Sequence, residues 1–505
     1  MRAAGEVLVV GAGPTGLAAA VELLRRDVAV RIVDRSTRRN PHSKAIVLWP
    51  RALDVFARLG AADRIREMAV PITAANYYSG RRRVARINFR QLAGSRWSTP
   101  LSLPQNDTEQ VLRDVLDEVG GAVEYGHRLV GITQDASGAL ARFAAPDDEP
   151  REHRSDWALG CDGAHSTVRT SLGVGFTGSA YEQAYVLADG YWDTPLLHEE
   201  SYYFMGPTGV LVVVGLPGGK VRVFGSAPAD AAGESAEETV RRIAAERSPV
   251  PLRLAESAGS GTFQIQRRIA DRFRNGRVLL AGDAAHVHSP AGGQGLNTSV
   301  QDAYEAAWRL ADVIHGRLPD HELDQWERER RHVAQFVVRD TDRQTRLWTQ
   351  GGWQRHLRNV ALRTAQATGA LDRLAPPRLA QLSLAYPASG GGLGRLVPGT
   401  RVPDVRLPIG GRLHDLLSTG GRTLLLTEDA EHRFDRAWAA RHGVHVVPVD
   451  RALARVLGLR GRGAVLVRPD AVVAVAGRFT DSTLVSRIER ALPPVATHPD
   501  LKESA

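Results

Sequence analysis

The sequence predicts an α/β fold with a parallel sheet at its start, an inserted antiparallel sheet, and a smaller α/β region at its end. Three observations carry that reading. Residues 6–34 run strand, glycine turn, helix, strand; residues 180–265 break into short β-prone runs split by Gly and Pro; β-prone and helical stretches alternate beyond Gly390-Gly391-Gly392.

The first stretch fixes the start of the fold. Glu6 to Val10 is an apolar β-prone run, Gly11-Ala12-Gly13-Pro14-Thr15-Gly16 is a glycine turn, and Leu17 to Arg26 has the pattern of an amphipathic helix. A second β-prone run, Val28 to Val33, ends at Asp34. In this frame Gly11 allows the tight turn, Gly13 admits a pyrophosphate, and Gly16 lets the helix lie against the strand. The helix start then offers unpaired N–H groups to phosphates, and Asp34 stands where a carboxylate meets ribose hydroxyls. The unit is therefore a Rossmann-like dinucleotide site. Asp27 occupies the helix-to-strand corner, where glycine is usual, and Asp tolerates the left-handed region.

The next elements are read in order. A helix begins at Trp49-Pro50 and ends at Gly60; another, capped by Asp107 or Thr108, runs to about Val119. Val123–Tyr125 and Leu129–Ile132 read as strands, and Asp147-Asp148-Glu149-Pro150 as a hairpin tip. A second motif follows at residues 157–169, Trp-Ala-Leu-Gly-Cys-Asp-Gly-Ala-His-Ser-Thr-Val-Arg, with a strand, a sharp Asp-Gly turn and a helix capped by Ser166 or Thr167. The inserted sheet comes from Val186–Trp192, Ser201–Met205, Val210–Leu216 and Val221–Gly225, interrupted by a helix from Ala236 to Glu246. A third motif spans Asn275 to Asn297: a buried strand delivers Asp283, the chain turns at Pro290, and a glycine corner opens a helix from Thr298 to Ile314. That corner is a second anion site at a helix N-terminus, with Asp283 placed for a sugar or ribityl hydroxyl. Residues 316–395 read as helical and Arg-rich. Beyond the glycine run, strands are expected at Arg422–Thr427, Val444–Val449, Ala464–Val467 and Val472–Ala476, with helices at Phe434–Ala440 and Thr483–Leu492.

Composition narrows the function classes. The chain has 505 residues, 43% hydrophobic and 24% charged, which suits about three globular domains of roughly 150 residues each. The net charge of +9 comes from scattered arginines, the lysines being only Lys44, Lys220 and Lys502, so a nucleic-acid partner is not expected. No apolar run of membrane-spanning length occurs, and the chain enters a strand too early for a signal peptide, so a cytoplasmic location without a membrane partner is expected. Cys161 is the single cysteine, which excludes an intramolecular disulfide and a cysteine metal cluster; no metal site is expected.

The order and spacing of the three motifs resemble the group A flavoprotein monooxygenases, the family of phenol and aromatic-polyketide hydroxylases with a fold like para-hydroxybenzoate hydroxylase. Two departures are Lys44, where many relatives have Arg, and Ser299, where Gly is frequent. The resemblance implies bound FAD, with NADPH or NADH as a transient co-substrate, which fits the lack of a second dinucleotide fingerprint. It implies FAD contacts from Gly11, Gly13, Pro14, Thr15 and Gly16 at the pyrophosphate, Asp34 at the ribose with Arg35 and Lys44 nearby, and Gln105, Arg113 and Leu129. Asp162 and Arg169 would serve flavin and nicotinamide, Asp283 the ribityl chain, and Pro290 with Gly293, Gln294, Gly295, Leu296 and Asn297 the isoalloxazine ring.

The implied reaction inserts one oxygen atom of O2 into an aromatic, phenolic polyketide-type substrate through a flavin hydroperoxide. Baeyer–Villiger insertion and epoxidation share the scaffold; the tryptophan motif of flavin halogenases is absent. A non-catalytic flavin-binding redox protein and a plain NAD-dependent dehydrogenase are readings of other classes. No catalytic base is evident, Tyr203, Arg222 and His286 being weak candidates. The expected layout is an FAD-binding domain at 1–179 and 266–345, a substrate sheet at 180–265, a helical linker at 346–395, and a thioredoxin-like domain without cysteines at 396–505, in a monomer or homodimer.

Overall fold

The structure is a computed structural model that describes residues 5–37, 45–90, 92–144, 151–231, 233–388, 390–407, 410–427, 434 and 436–492. Lys44 and the expected hairpin tip at 147–150 lie outside the described residues. Chain contacts divide the protein into two compact units. The first runs to Ala93 and includes Trp97–Ala307 and Arg330–Leu382; the second holds Gly94–Arg96, Trp308–Glu329 and the chain from Ser383.

In the first unit the apolar run Glu6–Val10 becomes the middle of a six-stranded sheet. Parallel to it lie Ala29–Asp34 on one side and Trp157–Gly160 on the other, flanked by Val123–Tyr125 and Val278–Leu280, with Arg274–Asn275 antiparallel at the edge. Glu6–Val10, Trp157–Gly160 and Val278–Leu280 are buried on both faces over nearly their whole length, which is why these runs are almost continuously apolar rather than alternating. The helix Pro14–Leu24 starts on proline and buries its Leu17, Val21 and Leu23. Asp27 has φ of 59° and closes the turn into Ala29–Asp34. The expected Asp107 or Thr108 cap is corrected: the helix is Gln105–Glu118, Pro104 is its N-cap, and Thr108 is buried one turn inside.

The second sheet has eight strands and reaches outside residues 180–265. Its long strands Phe176–Asp193 and Arg253–Ala270 pair antiparallel, and Val221–Ser226, Gly209–Gly215 and Glu200–Gly206 continue it. One pairing departs from the antiparallel expectation. Glu200–Gly206 runs parallel to Ala74–Ser79, which forms a hairpin with Arg82–Asn88. Side chains alternate strictly. Leu211, Val213, Tyr202 and Phe204 pack on the helix Ala236–Arg247, whose Ser235–Glu238 capping box fixes its start, while Val210, Val212, Val214, Tyr203 and Tyr77 face the other way. The helices Gly352–Ala367 and Ala370–Leu379 complete this unit, and Leu362, Leu371 and Leu379 pack into the same cluster as Tyr77 and Tyr203.

The second unit holds a four-stranded sheet. Arg422–Thr427 lies parallel to Val444–Val449 and antiparallel to Gly463–Val467, which pairs with Val473–Arg478. Leu425, Val447 and Val465 fill one side; Leu424, Leu426 and Leu466 pack with Trp438, Leu484 and Ile488 on the other.

Candidate functional site

All three glycine motifs end at the carboxyl edge of the six-stranded sheet, where open α/β sheets place their ligands. Gly11 has φ of +102°, and a Cβ there would lie 2.5 Å from the carbonyl oxygen of Cys161. A Cβ on Gly282 would meet the Thr15 side chain at 2.7 Å, so the first and third motifs touch. Arg169 joins the second to the third by donating to the Ala284 carbonyl at 2.8 Å. Residues more than a hundred positions apart thus form one rim.

Each acidic group on this rim has a defined setting. Asp34 accepts from the N–H groups of Ala12 and Ser36, both at 2.8 Å, and so braces the glycine turn. Asp162 is folded onto its own helix, accepting from Ser166 Oγ at 2.5 Å and from the N–H groups of Thr167 and Val168. Asp283 is exposed in the short turn Gly282–Ala284. Arg35 is exposed beside Asp34, and Leu129 is buried opposite Phe143.

The glycine corner before the helix Gly295–Ile314, whose backbone N–H groups are expected to face the flavin ring, is held in shape by side chains. Asn297, fully buried, accepts from the Trp49 N–H at 2.6 Å and donates to the carbonyls of Val47 and Gly293. Trp49 returns its indole N–H to Gly292 at 2.7 Å. Gln294, Gln301 and Thr298 all bond Gln381, a residue with φ of 58°. His286 is buried and shares a 2.6 Å contact with Asp302, whose other oxygen accepts from Arg330 at 2.7 Å. Burial alone would raise the Asp302 carboxyl, but Arg330 and His286 hold it below its ordinary range.

Against this corner lies a cavity of about 370 Å³, partly open to solvent. Its walls are Val47, Trp49, Phe89, Pro100 and Gly292 on one side, Ala75, Tyr77, Ser201, Tyr203 and Val214 on the sheet side, with Ile72 and Leu379. Among the described residues no charged side chain lines it.

Residues 4–341 match the FAD binding domain family, and residues 395–496 match the aromatic-ring hydroxylase C-terminal family. The chain belongs to the FAD-dependent aromatic hydroxylases. It is 32% identical to 6-methylpretetramide 4-monooxygenase of Streptomyces rimosus, over 99% of this chain and 96% of that protein. It is also 32% identical to pentachlorophenol 4-monooxygenase of Sphingobium chlorophenolicum, over 84% and 80% of the two chains. Among solved structures, aklavinone-11 hydroxylase with FAD and aklavinone superposes with a TM-score of 0.77 at 26% identity, covering 97% of this chain and 99% of that one. FAD is the cofactor of this hydroxylase, and monooxygenation is its reaction.

The residues present fit FAD. Gly13 opens onto free space, with no atom within 4 Å of where its Cβ would stand. Arg113 bonds Tyr125 and Glu109 through Nε and Nη2, while its buried Nη1 has no partner among the described residues. Glu109 also accepts from Gln105, so Gln105 and Arg113 are held together on one helix. Of the weak catalytic candidates, the structure places Tyr203 in the cavity wall, Arg222 in a doubly hydrogen-bonded pair with Asp189 at 2.6 Å, and His286 on Asp302. Sequence reading missed Trp49 and Tyr77. Their signals were there, a Trp-Pro helix start and a Tyr-Tyr pair in a β-prone run, but nothing local showed that they meet.

His288 stays neutral to lower pH than an ordinary histidine. Burial and the neighbouring His286 push its imidazole down to about 4. An unfolded histidine titrates near about 6.5, so between these values the unfolded chain holds more protons and stability falls as pH drops, by at most about 1.4 kcal/mol per unit for this one group. Denaturant titrations from pH 7 to 4 are expected to show a shallower loss in His288→Gln than in the native protein.

Proposed function

We propose that this hydroxylase places one oxygen atom on a phenolic, polyketide-type aromatic, with NAD(P)H as the passing reductant. The cavity carries the reading: a slot walled by aromatic and aliphatic groups, set against the Gly292 corner, suits a flat apolar ring system with few polar substituents. The names of the relatives, a pretetramide and a chlorinated phenol monooxygenase, support that substrate class. Bound FAD supplies electron transfer from the nicotinamide and activation of dioxygen. The chain's own part is to bind, orient and dry the site. Gly13, Pro14, Thr15 and Gly16 receive the pyrophosphate, Asp34 the ribose, and the free Nη1 of Arg113 a flavin oxygen. Arg35, Gln105 and Leu129 flank the chain of the cofactor, Asp162 and Arg169 set the rim, and Asp283 meets the ribityl hydroxyls. Pro290 and the Gly293, Gly295, Leu296 and Asn297 backbone face the ring. In the second unit, the order strand, helix, strand, helix, strand, strand, helix supports a thioredoxin-like scaffold, and the single cysteine, Cys161, lies in the first unit.

The test is NADPH consumption by the FAD-loaded protein with and without alizarin, under isotopically labelled dioxygen. Faster consumption and a product carrying one labelled atom on the ring are expected. Labelled lactone would replace hydroxylation by Baeyer–Villiger insertion. Unchanged consumption across alizarin and a panel of simpler phenols would overturn the substrate class.

A further inference from the structure

The helix Ala370–Leu379 ends in a Schellman motif: the N–H of Gln381 donates to the Arg378 carbonyl at 3.1 Å, and the N–H of Leu382 to the Pro377 carbonyl at 2.9 Å. Glycine usually holds the left-handed position of this motif, yet Gln381 occupies it with φ of 58°. That backbone costs a residue with a side chain free energy, and the buried Gln381 amide offsets the cost through three hydrogen bonds. Its Nε2 donates to Gln294 Oε1 and, at 3.0 Å, to Thr298 Oγ1; its Oε1 accepts from Gln301 Nε2 at 2.5 Å. Gln294 in turn donates from Nε2 to the carbonyls of Gly292 at 3.1 Å and Leu379 at 3.0 Å, which belong to two walls of the cavity. Both amides thus use their oxygen and both N–H groups, and a buried network satisfied in this way holds one geometry.

We propose that Gln381 is a positioning residue for the flavin: through Gln294 it sets the Gly292–Gly295 corner so that the start of the helix Gly295–Ile314 opposes the negative charge of reduced FAD. Gly292 and Gly293 have φ of 70° and 62° and no side chains of their own to fix their peptide planes. Gln294 and Trp49 hold the Gly292 carbonyl, and Asn297 holds that of Gly293. Donors aimed at developing charge act only as well as they are held. The assignment rests on the flavin-facing corner proposed above.

The test is the midpoint potential of the FAD-loaded protein, equilibrated with a reference dye and no aromatic. Gln381→Met removes the amide at nearly constant volume, and Gln381→Gly removes it while relieving the left-handed backbone, so a shift common to both follows the amide. Both are expected to lower the potential by about 30 mV, the two-electron equivalent of a tenfold weaker hold on reduced relative to oxidised FAD. Gln294→Met is expected to match them, and the double variant Gln294→Met/Gln381→Met to fall no further, because the two amides act as one unit. Shifts that add in the double variant overturn transmission through Gln294, and a native potential in both Gln381 variants overturns the assignment whatever their Tm. Gly293→Ala probes the corner directly, since its Cβ would lie 3.0 Å from Val47 Cβ at a φ of +62°. A shift there without one in the Gln381 variants makes Gln381 a structural latch only; no shift in any of them means that the corner does not face the flavin, and the Gln381 assignment falls with it.

Discussion

Replacing Gly16 with alanine yields protein that purifies colourless. The added Cβ would fall 1.9 Å from the carbonyl oxygen of Gly11, a backbone atom that cannot turn aside as a side chain could. Either the helix Pro14–Leu24 retreats from the turn or the turn itself opens, and both moves displace the N–H groups at the helix start. Gly11 has no room to yield, because Cys161 closes it from the neighbouring strand. The Val9 side chain of the central strand lies 3.2 Å from the added Cβ and has only to give slightly, so far-ultraviolet circular dichroism is expected to stay near native while FAD per chain, read by visible absorbance, falls to near zero. A yellow Gly16→Ala protein with native affinity would show that the cofactor does not rest on this turn.

Asp302→Ala is expected to cost about 3–5 kcal/mol, the usual penalty for removing one partner from a buried ion pair. Arg330 and His286 are both fully buried, and Asp302 faces them with separate oxygens. Glu305 remains as a partner for Arg330 at 3.2 Å, which offsets part of the loss. The same carboxylate also accepts from the Gly282 N–H at 3.2 Å, one residue before Asp283. Urea titration should therefore report a lower midpoint, and FAD titration of the surviving folded fraction a weaker affinity. A change in stability alone, with FAD affinity intact, would mean that the Gly282 turn holds its shape without Asp302.

The sequence makes the frame legible because local rules suffice there. Glycines at 11, 13 and 16, an acid at 34, and apolar runs buried on both faces are each readable from spacing and side-chain type. Ser166 capping and the Asp27 corner follow the same local logic. What sequence does not show is long-range pairing. Asn297 reads as one more flavin-loop residue, yet its side chain is consumed in tying Trp49, Val47 and Gly293 together. Arg222 looks like a free cation on the substrate sheet, and only the antiparallel register with Asp189 reveals its partner. Tyr77 is further still from local inference. Its place in the cavity depends on a strand pairing between residues 74–79 and 200–206, for which neither segment carries a mark.

That same pairing sets a schedule for the ribosome. The hairpin Ala74–Asn88 emerges early but finds its parallel neighbour only after Glu200–Gly206 has been synthesised, leaving a bare strand edge for the intervening stretch of translation. Slower elongation or cooler expression should accordingly raise the yield of active hydroxylase more than that of total polypeptide. The nucleotide sheet waits longer still, because its strand Val278–Leu280 follows both halves of that cavity wall along the chain.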